Sequence, residues 1–490
     1  MAAHSLPVPP TNAGGNPPRW TQPVSFYGQS VFSKYYAHSI CAFLLLIPFL
    51  VMPVQSQATQ GPIGGQSCVT TYDPTVNYFP NPITVDDAAL FSVRYEKNYK
   101  VVTNTAVGVN QSFVLTQCGT PAPNASLFSN TTVFVNVPVS NLASLATTAV
   151  AYIEMLGRRS AIKAVDTEGL VSSPCVQYGL NHSEIIGLED KNQTLRAEQL
   201  GKVDVIFSSF GSEVGSENKT VVTSEVSDPG PLNRAEWLEF YSTFFNLEEA
   251  AQNLTSTINN NYNCFKKAAN AKTTKPVIAW ASYVAPSSYN NNTASWGVSG
   301  AAYKKILSED AGATFFNGTT TGTFTTAAAF ADALKDVDVL IDETFTGNDI
   351  NAFYQSYGLS ASSPHKFIQN KAIFREDGII NPNDGRDWFS GAVVMDDAVL
   401  QDVVRAVHPD ALPANVPYNW LRNIAKGETM QTLTSANCTN PDSNAPIPDR
   451  AIVCSTMKVG GSGSGGNAGS KTVAGALTVV LSLLAAAIAL

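Results

Sequence analysis

Apolar residues follow two alternating rhythms along the middle of the chain. Short runs such as residues 203–207 (VDVIF), the start of "KPVIAWASY" and the start of "VDVLIDETF" have the length and β-branched content of buried strands. Between them, in "TLRAEQLG", "GAAYKKILSEDAG", "FTTAAAFADALKD" and "MDDAVLQDVVRAVHP", apolar positions recur every three or four residues, the period of a helix packed on one face. "NLASLATTAVAYIEMLG" reads as a strand running into a helix, with Thr147 and Thr148 as cap residues, and the strand "AIKAVD" follows it. The order β-α-β-α-β before residue 230, and its return after residue 271, predicts an α/β fold of two lobes, each with a parallel sheet flanked by helices.

Between the halves lies a different pattern. Trp237, Tyr241, Phe244, Ala251, Leu254, Ile258, Tyr262 and Phe265 keep a helical period, and no Pro or Gly falls between residues 232 and 269. One uninterrupted helix is expected there, about 55 Å long at 1.5 Å per residue, long enough to be a backbone joining two lobes. Residues 85–140 instead alternate in "FSVRYEKNYKVVTN", "QSFVLTQCG" and "TVFVNVP", which predicts a β-ribbon extension on the first lobe. The expected organisation is an N-terminal arm at 59–84, a first lobe at 85–230, the backbone helix at 231–270, a second lobe at 271–425, and a Cys loop with a Gly/Ser linker at 426–467.

The ends change the picture. Residues 40–54 form an apolar run with Lys34 before it and Ser56-Gln57-Ala58 after it, which fits a signal peptide over 1–58 better than a membrane span; the 39 residues before it are long and Pro-rich for an n-region, so the alternatives are a signal anchor or a misplaced start codon. At the other end "VGGSGSGGNAGSKT" leads into an apolar tail, with 468–490 read as the removed part of a glycosylphosphatidylinositol (GPI) signal and Ser462, Ser464 or Asn467 as the attachment residue; the alternative is an ordinary tail anchor. Gly461, Gly463 and Gly466 form G-x-G-x-x-G, but in spacer composition rather than between a strand and a helix. Ten N-x-[ST] sequons, at Asn110, Asn124, Asn130, Asn181, Asn192, Asn218, Asn253, Asn291, Asn317 and Asn437, point to a eukaryotic surface glycoprotein.

Of seven Cys, Cys41 leaves with the signal and six remain, an even number suited to an oxidising compartment. Cys438 and Cys454 are expected to pair across a short loop, while Cys68, Cys118, Cys175 and Cys264 allow three pairings. Removing Arg19, Lys34 and Lys471 with the ends takes Lys+Arg from 30 to 27 against 39 acids, a net charge of −12. Such a surface repels nucleic acid. The expected molecule is a monomer held at the outer leaflet of the plasma membrane or in the cell wall through its lipid.

Five stretches carry a resemblance. "FSVRYEKNYKVV", "VLTQCGTPAP", "VPVSNLASLATTAVAYIEMLG", "PLNRAEWLEFYSTFFNLEEAA" and "DWFSGAVVMDDAVLQDVVRAVHP", in this order over about residues 88–412, resemble the landmarks of the helical-backbone class of periplasmic substrate-binding proteins, which serve importers of iron-siderophores, cobalamin and some metals. The resemblance implies a two-lobe clamp hinged on the long helix, binding a small-molecule ligand such as a metal chelate without catalysis and without a cofactor. It also implies acidic docking points for an importer, for which Glu213 and Glu343 are candidates.

In open α/β sheets ligands sit beyond the carboxyl ends of the strands. This nominates Thr147, Thr148, Ser208, Ser209 and Phe210 on the first lobe, and Trp280, Tyr283, Trp296, Glu343, Phe345, Arg375 and Trp388 on the second, with Arg386 and Asp387 as neighbours. Aromatics with an Arg suit a large, flat, partly anionic ligand. A His-rich metal site is disfavoured, because only His182, His365 and His408 lie between the trimmed ends. Neither H-E-x-x-H nor G-x-S-x-G occurs, and the adjacent pairs Asp342/Glu343 and Asp396/Asp397 make poor acid–base couples. The competing readings are a structural or adhesive surface glycoprotein and a glycan-active hydrolase.

Overall fold

The computed structural model describes residues 66–454 apart from 213–217, 317–323, 346, 414 and 442–443. The signal segment, the GPI tail and its attachment residues Ser462, Ser464 and Asn467, the sequon at Asn317 and the docking candidate Glu213 lie outside the described residues. Among the described residues, no helix is long and apolar enough to cross a membrane.

The alternating segment at 85–140 forms a four-stranded sheet of β1 (Phe91–Tyr95), β2 (Tyr99–Asn104), β3 (Gln111–Gln117) and β4 (Val133–Val137). The first three strands are antiparallel, whereas β4 joins β3 in parallel. Next comes an all-parallel sheet of β5 (Leu142–Ser144), β6 (Ile162–Val165), β7 (Ile186–Gly187), β8 (Val205–Ser208) and β9 (Thr220–Val222), in spatial order β7-β6-β5-β8-β9. Its helices are α1 (Thr147–Met155), α2 (Pro174–Asn181) and α3 (Gln193–Gly201). Every residue of α1 from Thr148 to Met155 is buried, so this helix is a core element rather than an amphipathic cover.

The expected single long helix is three. α4 (Pro231–Ala235) and α5 (Trp237–Ser242) are separated from α6 (Glu248–Asn270) by a break at 243–247, where Asn246 takes a left-handed φ of 53°. Tertiary bonds replace helical ones at the break. Phe244 O accepts the Val139 N–H at 2.9 Å. The Asn246 amide donates to Gln117 Oε1 at 2.8 Å and accepts from the buried Lys100 ammonium at 3.0 Å. All six residues of α5 are buried, in an aromatic cluster where Phe240 meets Phe91, Phe113, Trp237 and Tyr241. α5 therefore belongs to the first lobe's core, and only the 23 residues of α6, about 35 Å at 1.5 Å per residue, form a rod.

The third sheet holds β10 (Val277–Val284), β11 (Ser295–Val298), β12 (Thr314–Phe315), β13 (Val339–Asp342), β14 (Ile373–Arg375) and β16 (Arg422–Asn423). β10, β12, β13 and β14 are parallel, and the edges β11 and β16 are antiparallel. Its helices are α7 (Ala302–Asp310), α8 (Ala327–Ala333), α9 (Ile350–Tyr357), α10 (Lys366–Gln369) and α11 (Asp396–Val407), and a small parallel pair joins β15 (Ile379–Ile380) to β17 (Gln431–Thr432). The fold is thus α/β, with parallel sheets flanked by helices. One apolar core runs from Val205 and Phe207 through Tyr241, Ile258 and Val403 to Ile278 and Trp280, so both sheets rest on a common centre. Separate small cores cover the far face of each sheet.

Cys438 and Cys454 do not pair with each other. The bridges are Cys68–Cys118, Cys175–Cys438 and Cys264–Cys454. The chain after β17 is an extended strap rather than a closed loop. It crosses α2, where Gln177 Nε2 donates to Leu433 O, then α1, where Ile447 N donates to Glu154 O. Its described part reaches α6 and α11, with Asn261 Nδ2 donating to Ile452 O and Ile452 N to Gln401 Oε1.

Candidate functional site at the strand ends

The carboxyl ends of the two large sheets meet through residues 381–390. Thr147 follows β5, and its Oγ1 donates to Phe389 O at 3.2 Å while Ser390 Oγ donates to Thr147 O at 2.9 Å. Ser172 Oγ donates to Asp387 Oδ1 at 2.6 Å, and Asn381 Nδ2 to Gly169 O at 2.7 Å. Neither Thr147 nor Thr148 caps α1, whose N-cap is Ala146. Thr148 Oγ1 instead donates to the fully buried Glu225 carboxylate, which burial pushes up from its ordinary pKa.

At the end of the neighbouring strand β8, Ser208 is buried and its Oγ accepts the Phe210 N–H at 3.1 Å, and the Ser209 hydroxyl lies 3.4 Å from that of Thr223. This turn leaves the Phe210 ring 78% exposed. Across the junction, Phe345 follows β13 with 61% exposure and Phe389 shows 49%. Arg386 connects these two. Its Nη2 donates to Thr344 O and Phe345 O, both at 2.9 Å, and its guanidinium lies 5.1 Å from the Phe345 ring centre. Arg386 Nη1 is buried without a partner.

Behind this rim sits a charged layer. Arg375, 1% exposed, gives Nε to Asp377 at 2.9 Å, Nη1 to Asp342 and Nη2 to Thr344 O. Burial alone would raise the Asp377 carboxyl, but Arg422 and Arg375 reverse this and hold it below its ordinary range. Arg375 therefore braces the ends of β13, β14 and β16 from within the core. Glu343 pairs with Lys304, which in turn lies 5.5 Å from the Trp280 ring centre. Glu376 is buried, its Oε1 has no partner, and its pKa is pushed up to about 8 by burial and then by the charge of Glu343.

Several nominated aromatics are core. Trp280 is wholly buried inside β10, donates Nε1 to Ser308 Oγ at 3.0 Å and packs on Trp388 with ring centres 6.0 Å apart. Trp296 lies in strand β11 rather than a loop, donates Nε1 to Ser356 O at 2.7 Å and packs at a tilt on the half-buried Tyr283, ring centres 5.3 Å apart, on the far face of the sheet. Trp388 is buried too, and its neighbour Phe389 is the residue that reaches solvent. The structure thus brings Thr147 to Phe389 and Arg386 to Phe345, with the buried Glu376 within reach of the Arg386 charge; it leaves Ser209 and Phe210 beside Val107, Val109 and Val222, and it buries Trp280, Trp296, Trp388 and Arg375. Phe389 escapes a reading by residue type because the short 3₁₀ turn of Asp387–Phe389 sends adjacent side chains in different directions.

The histidines are spent elsewhere. His365 and His408 place Nε2 on the carbonyls of Ala331 and Gly312, and His182 stacks on Tyr178 at 3.9 Å. Among the described residues, no three His, Cys, Asp or Glu side chains are grouped to hold a metal ion.

No protein-family model matches the chain, and no curated protein matches it. Solved structures do show likeness. A periplasmic heme-binding protein from Pseudomonas aeruginosa is 14% identical over 60% of this chain and 99% of its own, with a TM-score of 0.40. A periplasmic binding protein from Veillonella parvula is 10% identical, covers 63% of this chain and 98% of its own, and has a TM-score of 0.44. A protein of an ABC-type Fe3+-hydroxamate transport system from Saccharomonospora viridis is 13% identical over 55% and 94% of the two chains, with a TM-score of 0.40. Likeness at these values assigns neither ligand nor role to this chain.

Proposed function

We propose that this protein is a cell-surface solute-binding protein that holds a flat, partly apolar solute with an anionic edge, such as a ferric chelate or a porphyrin, and releases it unchanged. The observation that carries this reading is the junction at the strand ends, where Arg386 lies 5.1 Å from the ring centre of the exposed Phe345 and the exposed Phe389 is tied to Thr147. Large exposed apolar side chains are costly to leave in water and are common at recognition sites. The buried guanidinium of Arg386 beside Phe345 adds a positive charge that favours an anionic group nearby.

The common core and the strap favour binding on a largely preformed surface over a wide hinge opening. Secretion through the N-terminal segment, glycosylation at the sequons and GPI anchorage belong to the same reading. Its support there is the sequence pattern of the two ends, together with nine described sequon asparagines that are all exposed. The test has two parts. Haem and a ferric hydroxamate are titrated into the full chain purified from a eukaryotic secretory host, with the bound ligand recovered and its mass compared with the input. Saturable binding of at least one, with unaltered mass, supports the reading, and a chemically changed ligand contradicts it. Phosphatidylinositol-specific phospholipase should release the protein from intact cells; retention with an unacylated anchor contradicts the anchorage.

A further inference from the structure

Away from the aromatic rim, a cavity of about 500 Å³ opens between the two lobes. Its volume falls within the ~300–1,000 Å³ of ordinary ligand sites, but its chemistry differs from the rim's. Gln177 and Asn181 of α2 form one wall, Asn381 and Asn383 of the second lobe another, and Thr434 and Ser435 of the strap close the side. Glu168 is the one charged residue of the lining, and no aromatic ring takes part. Neutral amides and hydroxyls both donate and accept. That set matches the hydroxyl and N-acetyl groups of a sugar, and it does not match a flat anion.

Asn181 is also the acceptor of the sequon Asn181-His182-Ser183. It is the last residue of α2, exposed, and followed by Ser183 in the left-handed region at φ 58°, so the sequon lies on a turn. Its Nδ2, the atom that would carry the glycan, donates to Ser435 Oγ at 3.0 Å across the cavity mouth. Glycosylation replaces one of the two Nδ2 hydrogens, and the other can still serve Ser435.

We infer that the N-linked glycan of Asn181 fills this cavity, its first N-acetylglucosamine residues bonding to the exposed Asn383 and bracing the two lobes. The inference rests on the secretory reading given above. The donor is the lipid-pyrophosphate-linked oligosaccharide of the secretory pathway. Nδ2 forms a bond to sugar C1, the C1–O bond to pyrophosphate breaks, Nδ2 gives up one proton, and the lipid pyrophosphate leaves with the electron pair. Attachment on the cavity wall gives the sugar a high effective concentration there, so weak contacts suffice to hold it.

The experiment compares the full chain from a eukaryotic secretory host with Ser183→Ala, Asn181→Gln and, as a control on the β-ribbon, Asn130→Gln. Ser183→Ala removes the sequon but keeps Asn181 and its bond to Ser435, so it separates loss of the glycan from loss of that bond. Occupancy is read by peptide mapping after amidase release in ¹⁸O water, and bracing by hydrogen exchange at residues 381–385 and 433–437. Asn181 should be occupied, and exchange of both segments should rise about threefold or more in Ser183→Ala and Asn181→Gln but not in Asn130→Gln. An empty Asn181 among filled sequons overturns this inference alone, whereas empty sequons throughout overturn it together with the secretory reading. Unchanged exchange in Ser183→Ala also overturns it. So does an empty Asn181 in a cavity that binds free N,N′-diacetylchitobiose, which would make the cavity a site for a diffusible sugar.

Discussion

Thr147 Oγ1 donates to Phe389 O at 3.2 Å, and this contact fixes an exposed aromatic residue of the second lobe beside the end of a first-lobe strand. Ser390 returns a hydrogen bond to Thr147 O at 2.9 Å, so the junction is held from both sides. The rim therefore depends on the position of residues 386–390 as much as on the rings themselves.

Arg375 should act on stability rather than on binding. Replacing it with Met leaves Asp342 buried without its cation and weakens the hold on Asp377, a change that typically costs about 3–5 kcal/mol. Thermal unfolding of Arg375→Met should show a marked drop in Tm, with ligand affinity of the folded protein within about twofold of wild type. A normal Tm with weakened binding would place Arg375 at the ligand.

The strap predicts a specific disulfide map. Peptide mapping should recover Cys175 with Cys438 and Cys264 with Cys454, and no Cys438–Cys454 peptide. Cys438→Ser should lower stability by about 2–4 kcal/mol and should speed hydrogen exchange of residues 433–441. Recovery of Cys438 joined to Cys454 would contradict the path of the chain.

Stability should fall with rising pH. The Glu376 pKa is raised to about 8 in the fold, against about 4.3 for an unfolded glutamate. Between these values the folded state binds more protons than the unfolded one, so stability declines as pH rises through this window. Glu239, raised to about 8, and Glu154, raised to about 7, both by burial first, act in the same direction. Urea unfolding should show greatest stability near pH 5 and a decline to pH 8, and Glu376→Gln should flatten the slope. A wild-type profile that is flat or rising over this interval would contradict the buried, neutral carboxyls.

The alternation of strands and helices was legible because buried parallel strands are short apolar runs: residues 203–207 and the start of "VDVLIDETF" mark β8 and β13 closely. The helix break was not, because Asn246 reads as one polar position in an apolar period, and its partners Gln117 and Lys100 are remote in sequence. The disulfides depend on the path of a strap whose contacts are remote in sequence. At the site, strand ends nominated Thr147, Phe210 and Phe345, which do follow β5, β8 and β13, but β10 runs on to Val284, four residues past Trp280, and so keeps that ring in the core. Phe389 was hidden by the attention its neighbour Trp388 draws.

The most direct test of the rim is the ratio of dissociation constants for Phe345→Ala and Phe389→Ala against wild type, measured by calorimetric titration with the tighter of haem and the ferric hydroxamate. Trp296→Phe, which changes only the far face of the second sheet, is the control. Truncating an aromatic at a buried ligand contact costs about 1–3 kcal/mol, or roughly tenfold to over a hundredfold in Kd. The account predicts losses of that size for both rim variants and a ratio near one for Trp296→Phe; full affinity in both rim variants, or no binding of either ligand by the folded wild type, would contradict it.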